Sequence, residues 1–298
     1  MALNTFEDSI RAIANDFIVQ IETYFKEDKA DALFYYGNID GVYEEFFRAA
    51  IEQLVEAHKT EKRETLVIIL HTNGGSIETT EKYVNMIRTY YKKVFFIVPT
   101  FAMSAGTIFC MSGNKIFMDY SSCLGPIDAQ VYSSKEGKYV PASGYLYEVE
   151  EIINKSVNGT LSNVEVVMLQ NQDLAFLNYC KQISILTVNL LKEWLTKYKF
   201  CDWEKTETRN LPVDANYKKK RAEDIANALG NNSKWNVHSR PIMIDDLKEL
   251  NIKIDDYTNN DDLKKVIRQY IDFMNQYIIF KLKNPNPNVR FIHTRLFM

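Results

Sequence analysis

Twice between Leu66 and Gln130 an apolar, β-branched run ends in a glycine-marked turn and gives way to helical spacing. Leu66-Val67-Ile68-Ile69-Leu70 leads into Asn73-Gly74-Gly75-Ser76. Val94-Phe95-Phe96-Ile97-Val98, stopped by Pro99, leads into Ala102-Met103-Ser104-Ala105-Gly106. Strand, tight turn and helix, repeated in that order, constrain the chain to a parallel sheet with crossover helices on its faces. In such sheets the chemistry gathers at the carboxyl ends of the strands, where these two turns fall.

The flanking segments extend the same α/β pattern. Ile10, Ile13, Phe17, Ile21 and Phe25 recur at helical intervals, which predicts an N-terminal helix over residues 6–25. Residues 32–36 read as a strand closed by Gly37, and residues 39–58 return to helical spacing. Residues 77–91 place Tyr83, Met86, Ile87 and Tyr90 on one helical face. Lys115–Met118 is a fourth strand, Gly125–Asp128 a turn, and 163–200 a long helical stretch interrupted once or twice. The tail is mainly helical, over 217–229, 244–250 and 261–280. The expected organisation is an N-terminal helix (1–30), a central α/β domain (31–200) and a helical C-terminal extension (201–298).

Composition removes several function classes. A formal net charge of −3 with no long basic block argues against nucleic acid as a partner. Cys110, Cys123, Cys180 and Cys201 form no CxxC pair, so a reducing, cytoplasmic setting is expected. The N-terminal residues lack the cationic start and apolar core of a signal peptide. No apolar run approaches the roughly 20 residues of a membrane span, so none is expected. No GxGxxG fingerprint follows a strand, and no cofactor or metal is expected.

Gly74 and Gly75 let the backbone adopt dihedrals closed to other residues and let a substrate approach the main chain. Their N–H groups could stabilise an oxyanion, or the pair could simply shape the turn. Ser104, among small neighbours at a strand-to-helix turn, fits an exposed nucleophile aimed at by helix amides. A serine at a helix start is more often an ordinary N-cap.

The motifs His71-Thr72-Asn73-Gly74-Gly75, Ala102-Met103-Ser104-Ala105-Gly106-Thr107 and Leu124-Gly125-Pro126-Ile127-Asp128 together resemble the ClpP/crotonase superfamily. Within it they are most similar to the serine dehydrogenase proteinases, related to signal peptide peptidase A. Val140-Pro141-Ala142-Ser143 and Trp235-Asn236-Val237-His238-Ser239-Arg240-Pro241-Ile242 are similar to that group as well. The resemblance spans roughly residues 33–250. It implies a ClpP/crotonase-like fold with a parallel sheet, flanking helices and helical extensions at both ends. It also implies a serine peptidase that acts on peptide or protein substrates without ATP and assembles as a homo-oligomer. Ser104 would be the nucleophile, and the N–H groups of Gly75 and Ala105 the oxyanion hole. Gly74, His71 and Asp128 would support them. The family's usual proline before the two glycines is Asn73 here, which removes no donor.

ClpP places a histidine on the strand after the nucleophile helix, where this chain has Leu124–Asp128 and none. His58, His71, His238 and His293 lie elsewhere, so a Ser-His-Asp triad is not expected. The resemblance to signal peptide peptidase A implies a Ser-Lys dyad instead. Lys155, following Ile152 and Ile153, is the expected base if burial depresses its pKa; Lys135 and Lys138 lie closer to Ser104 in sequence. His71 could position substrate or Asp128, or pack. Asp128 could hold a turn or orient the base. His238 and Arg240 belong to a motif whose plain explanation is docking of the tail. Two rival readings are a non-catalytic scaffold of the same fold and a crotonase-type acyl-CoA enzyme.

Overall fold

The computed structural model describes residues 5–133, 137–206, 209–235, 237–282 and 289–297. In chain order its elements are α1 (Phe6–Tyr24), β1 (Ala30–Tyr36), α2 (Glu44–Ala57), β2 (Thr65–His71), α3 (Ile77–Tyr90), β3 (Lys93–Val98) and β4 (Phe101–Ala102). Next come α4 (Ala105–Met111), β5 (Lys115–Met118), β6 (Cys123–Leu124), β7 (Gln130–Ser133), β8 (Lys138–Pro141), α5 (Ala142–Val157), α6 (Asn163–Gln170) and α7 (Leu174–Trp194). The chain closes with α8 (Ala215–Leu229), α9 (Asn232–Trp235), α10 (Ile244–Glu249), β9 (Asp255–Asp256), α11 (Asp261–Leu282) and β10 (Phe291–His293).

The central sheet has the order β10-β1-β2-β3-β5-β9, with only the β10–β1 pair antiparallel. Alternation along its strands divides the core in two. Leu33, Tyr35, Leu66, Ile68, Leu70, Val94, Phe96 and Val98 face α2, α3, α4, α7 and α8 in the larger cluster. Ala32, Phe34, Val67, Ile69, Phe95 and Ile97 face the opposite way, against helically spaced positions of the terminal helices such as Ile18, Ile21, Ile267 and Tyr270. Strands buried on both faces are apolar at nearly every position, which is why their runs carry no period-two signal.

Helix ends follow local chemistry. Thr5 caps α1 by accepting from the Asp8 N–H at 3.1 Å, with Glu7 and Asp8 in the first turn. Ser76 caps α3 by accepting from Thr79 N–H at 3.0 Å. Asp173 starts α7 and Asp214 starts α8 in the same way.

The expected strands and helices of the centre are present, with two differences. Residues 201–298 supply both outer strands of the sheet, β9 and β10, besides helices. These strands are two and three residues long, too short to leave a periodic pattern. The second concerns α7 and the turn that continues it: by length and composition alone Leu174–Lys199 is apolar enough to cross a membrane, and a third of its most apolar stretch is buried inside the protein. Leu177, Cys180, Ile183, Thr187, Leu190 and Leu191 form its inward stripe. Polar and charged residues between them interrupt the apolar run.

Candidate active site

Three short connections build the site at the carboxyl ends of β1, β2 and β3. After β1, Ile39 pairs in parallel with Gly75: Ile39 N–H donates to the Gly74 carbonyl at 2.8 Å, and Ser76 N–H donates to the Ile39 carbonyl at 3.0 Å. This pattern occupies the groups on either side of Gly75 and turns its own N–H away from Ile39. Gly75 has φ 145°, and a Cβ there would stand 2.0 Å from the Ile39 carbonyl oxygen. Only glycine permits the pairing.

Gly74, at φ 101°, meets the second turn. A Cβ on it would lie 2.7 Å from the Met103 carbonyl oxygen, 2.8 Å from Ser104 Cβ and 3.1 Å from the Ala105 nitrogen. The two glycines therefore bring the first turn against the backbone of the second. Thr72 pairs with Ala102 across the same gap, and Met103 N–H donates to the Thr72 carbonyl at 2.9 Å. Thr107 Oγ1 ties the far side: its one O–H proton is shared between the Ala102 and Gly125 carbonyls, and it accepts from Gly125 N–H, each at 2.9 Å.

Ser104 occupies the position before α4 but does not cap it; its hydroxyl makes no cap hydrogen bond. Its backbone sits at φ 53°, ψ −119°, a conformation that L-residues rarely hold. Strain of this kind persists only where the surroundings enforce it, and it concentrates at catalytic turns. Ser104, Ala105 and Gly75 line one cleft of about 390 Å³, with Ile77, Ile108, Ile127 and Ile183 among its walls. A larger surface hollow of about 680 Å³ lies between α7 and α8, lined by Lys192, Lys197, Lys219 and Lys220 among others.

Asp128 is buried between Ile127 and Ala129, both of which line the Ser104 cleft. Its Oδ1 stands 2.5 Å from Nδ1 of His238, whose side chain is 26% exposed. The Leu124–Ile242 bridge and the Ile127 N–H to Leu229 carbonyl bond dock the His238 segment beside the connection between β6 and β7. In sequence, His238 falls in a motif with no assigned task. The missing signal is pairing across 110 residues, which no local spacing reveals.

Lys155 does not meet the condition set for a base. It lies in the last turn of α5, 46% exposed, with Nζ 2.6 Å from Glu165 Oε1. Its hydrogen bond to Glu165 raises its pKa, the reverse of the depression a neutral base requires. Lys135 lies outside the described residues. His71 is likewise no partner of Asp128. Its ring stacks on Tyr36, with centroids 4.8 Å apart, and packs against Phe101 at 4.2 Å, while Nδ1 is buried without a hydrogen bond. Burial holds its pKa down at about 4, so it is neutral packing. No cluster of three or more metal-ligating side chains occurs among the described residues.

The mostly parallel sheet flanked by helices is of the ClpP-like class. A family model described as "ClpP-like SDH-type serine proteinase" matches residues 42–211, and the chain belongs to that family. Two similar proteins come from Methanocaldococcus jannaschii: uncharacterized protein MJ0137, 25% identical over 72% of this chain, and uncharacterized protein MJ1495, 25% identical over 63%. The chain spans 64% and 51% of the lengths of these relatives. Among solved structures, a mutant of the 1510-N membrane-bound stomatin-specific protease in complex with a substrate peptide aligns at 20% identity. That alignment covers 41% of this chain and 56% of the other, with a TM-score of 0.32. ClpP1 from Listeria monocytogenes aligns at 11% identity over 79% of this chain and 94% of its own, with a TM-score of 0.35.

Proposed function

We propose that this chain is a serine endopeptidase in which Ser104 Oγ attacks a peptide carbonyl and the N–H groups of Gly75 and Ala105 receive the oxyanion. The observation that carries the reading is the strained, non-capping Ser104 beside the Gly75 turn in one cleft. Attack forms the Oγ–carbonyl carbon bond and moves the hydroxyl proton to a base. Collapse of the tetrahedral intermediate breaks the C–N bond, and the base returns the proton to the leaving amine. Water then repeats the sequence on the acyl-enzyme.

For the base, the Asp128–His238 pair is preferred over the Ser-Lys dyad. A buried carboxylate that holds Nδ1 of an imidazole leaves Nε2 as the proton acceptor and stabilises the imidazolium that forms. A dyad with Lys155 would require that lysine to leave Glu165 and give up its proton. Cleavage is read as ATP-independent, and the protein as a cytoplasmic homo-oligomer acting on peptides or proteins. These properties rest on the family resemblance and, for the setting, on the cysteine pattern.

The test is a peptide-library digest followed by mass spectrometry, with His238→Ala, Asp128→Asn and Lys155→Ala beside the wild type. Loss of kcat on the order of 10⁴-fold in the first two variants, with Lys155→Ala near wild type, is expected. Loss in Lys155→Ala alone would overturn the histidine assignment in favour of the dyad.

A further inference from the structure

The loop that aims Gly75 is itself held by a residue from the far end of the chain. Ile39, 1% exposed, is the residue whose two backbone bonds orient the Gly75 turn. Its neighbours on both sides are bound by Arg290. The Arg290 Nε–H donates to the Asn38 carbonyl at 3.1 Å, and its Nη2 lies 3.8 Å from Asp40 Oδ2. The guanidinium also lies 5.4 Å over the Tyr43 ring, and the side chain is only 7% exposed. Tyr35 Oη adds a second donor to the Asn38 carbonyl at 2.9 Å. Asp40 in turn accepts from Val42 N–H at 3.0 Å, so the carboxylate is fixed on its own loop as well.

Arg290 can reach this loop because it enters β10, which pairs Phe291 with Tyr36 at the end of β1. The approach is close: a Cβ on Gly37 would stand 3.1 Å from Arg290 Cα and 2.1 Å from the Val289 carbonyl oxygen. Gly37, at φ 106°, makes room for it. Arg290 lies outside residues 42–211, the stretch matched by the family model.

We propose that Arg290 is a positioning residue for the oxyanion hole. It clamps Asn38 and Asp40, so Ile39 holds Gly74 and Ser76 at fixed distance and the Gly75 N–H stays aimed at the developing charge. An oxyanion donor acts over tenths of an ångström, so loosening its support lowers the rate more than it lowers substrate binding. The inference rests on the Ser104 peptidase reading.

Two measurements test it on the full chain. First, Arg290→Ala is expected to lower kcat about 10- to 100-fold with KM within about twofold, a fraction of what deleting a whole donor does. Affinity for a peptide aldehyde, which forms a tetrahedral adduct, should fall in parallel, and Arg290→Lys should recover part of both. Partial unfolding would lower the active fraction while leaving the aldehyde affinity of the folded fraction at its wild-type value, and that outcome overturns the proposal. Second, with eleven glycines in the chain, a glycine-labelled amide spectrum resolves Gly75 without any turnover. Arg290→Ala should move the Gly74 and Gly75 resonances and leave Gly125 in place; an unmoved Gly75 overturns the proposal. Undiminished turnover in Ser104→Ala would instead sink the peptidase reading, whatever the Gly75 amide does.

Discussion

Ser104 holds φ 53° in a fold that would be relieved by any residue able to relax there. A non-glycine residue in such a region costs roughly 1–3 kcal/mol. Ser104→Gly should therefore be more stable than Ser104→Ala by about 1 kcal/mol in urea unfolding, since both remove the hydroxyl and only one removes the strain. Equal stability would show that the turn is unstrained. His71 carries a pH signature of its own. Its pKa falls from 6.5 to about 4 through burial, so its neutral form is the one the fold prefers. The stability this contributes is complete above pH 6.5 and is lost as pH falls through about 4, an amount on the order of 3 kcal/mol. His71→Phe, which keeps the stack between Tyr36 and Phe101, should flatten that part of the acid unfolding curve. An unchanged slope between pH 6.5 and 4 would contradict the packing role. At this scale the sequence placed Ser104 at a strand-to-helix turn, because small neighbours there are a local signal. It hid the Asp128–His238 contact, which only the docking of a distant segment creates.

The turn after β2, which the proposed mechanism uses as its oxyanion hole, is shaped by glycine on one side and by Ile39 on the other. Gly75→Ala would drive a methyl into the Ile39 carbonyl oxygen at 2.0 Å and force φ away from 145°. We expect a loss of about 10²–10³-fold in kcat, the scale of a missing donor, and a lower Tm from the broken bridge. Wild-type kcat in a folded Gly75→Ala protein would remove this turn from the mechanism. The double glycine and the long strands β1, β2 and β3 were legible because each carries a strong local pattern. The β7–β8 hairpin and the paired short strands β4 and β6 were not, since two to four residues show no periodicity. Helix α5 was obscured for another reason: of its residues only Ala142 and Ile152 are buried, so its apolar side chains trace no clear stripe.

Across the whole molecule, the sheet separates two cores with different tasks. The α3, α4 and α7 side surrounds the cleft, while α1 and α11 close the opposite face. Ile18, fully buried on α1, lies in the second core. Ile18→Ala should cost about 2–5 kcal/mol in chemical denaturation and leave kcat of the folded protein unchanged. A matching fall in kcat would mean the sheet does not insulate the site. The chain's ends looked like appendages in sequence, yet β10 completes the sheet edge and Arg290 beside it reaches the loop that aims Gly75. Burial and hydrogen bonding of a terminal strand depend on its partner, so its own residues could not announce them.

The proposed mechanism requires Ser104 to be an activated nucleophile. The most direct measurement is intact-mass analysis after reaction with a fluorophosphonate, followed by peptide mapping of the wild type, Ser104→Ala and His238→Ala. A single stoichiometric adduct on Ser104, absent in Ser104→Ala and much slower to form in His238→Ala, is the predicted result. An adduct elsewhere, or none on a folded wild-type protein, would contradict the account.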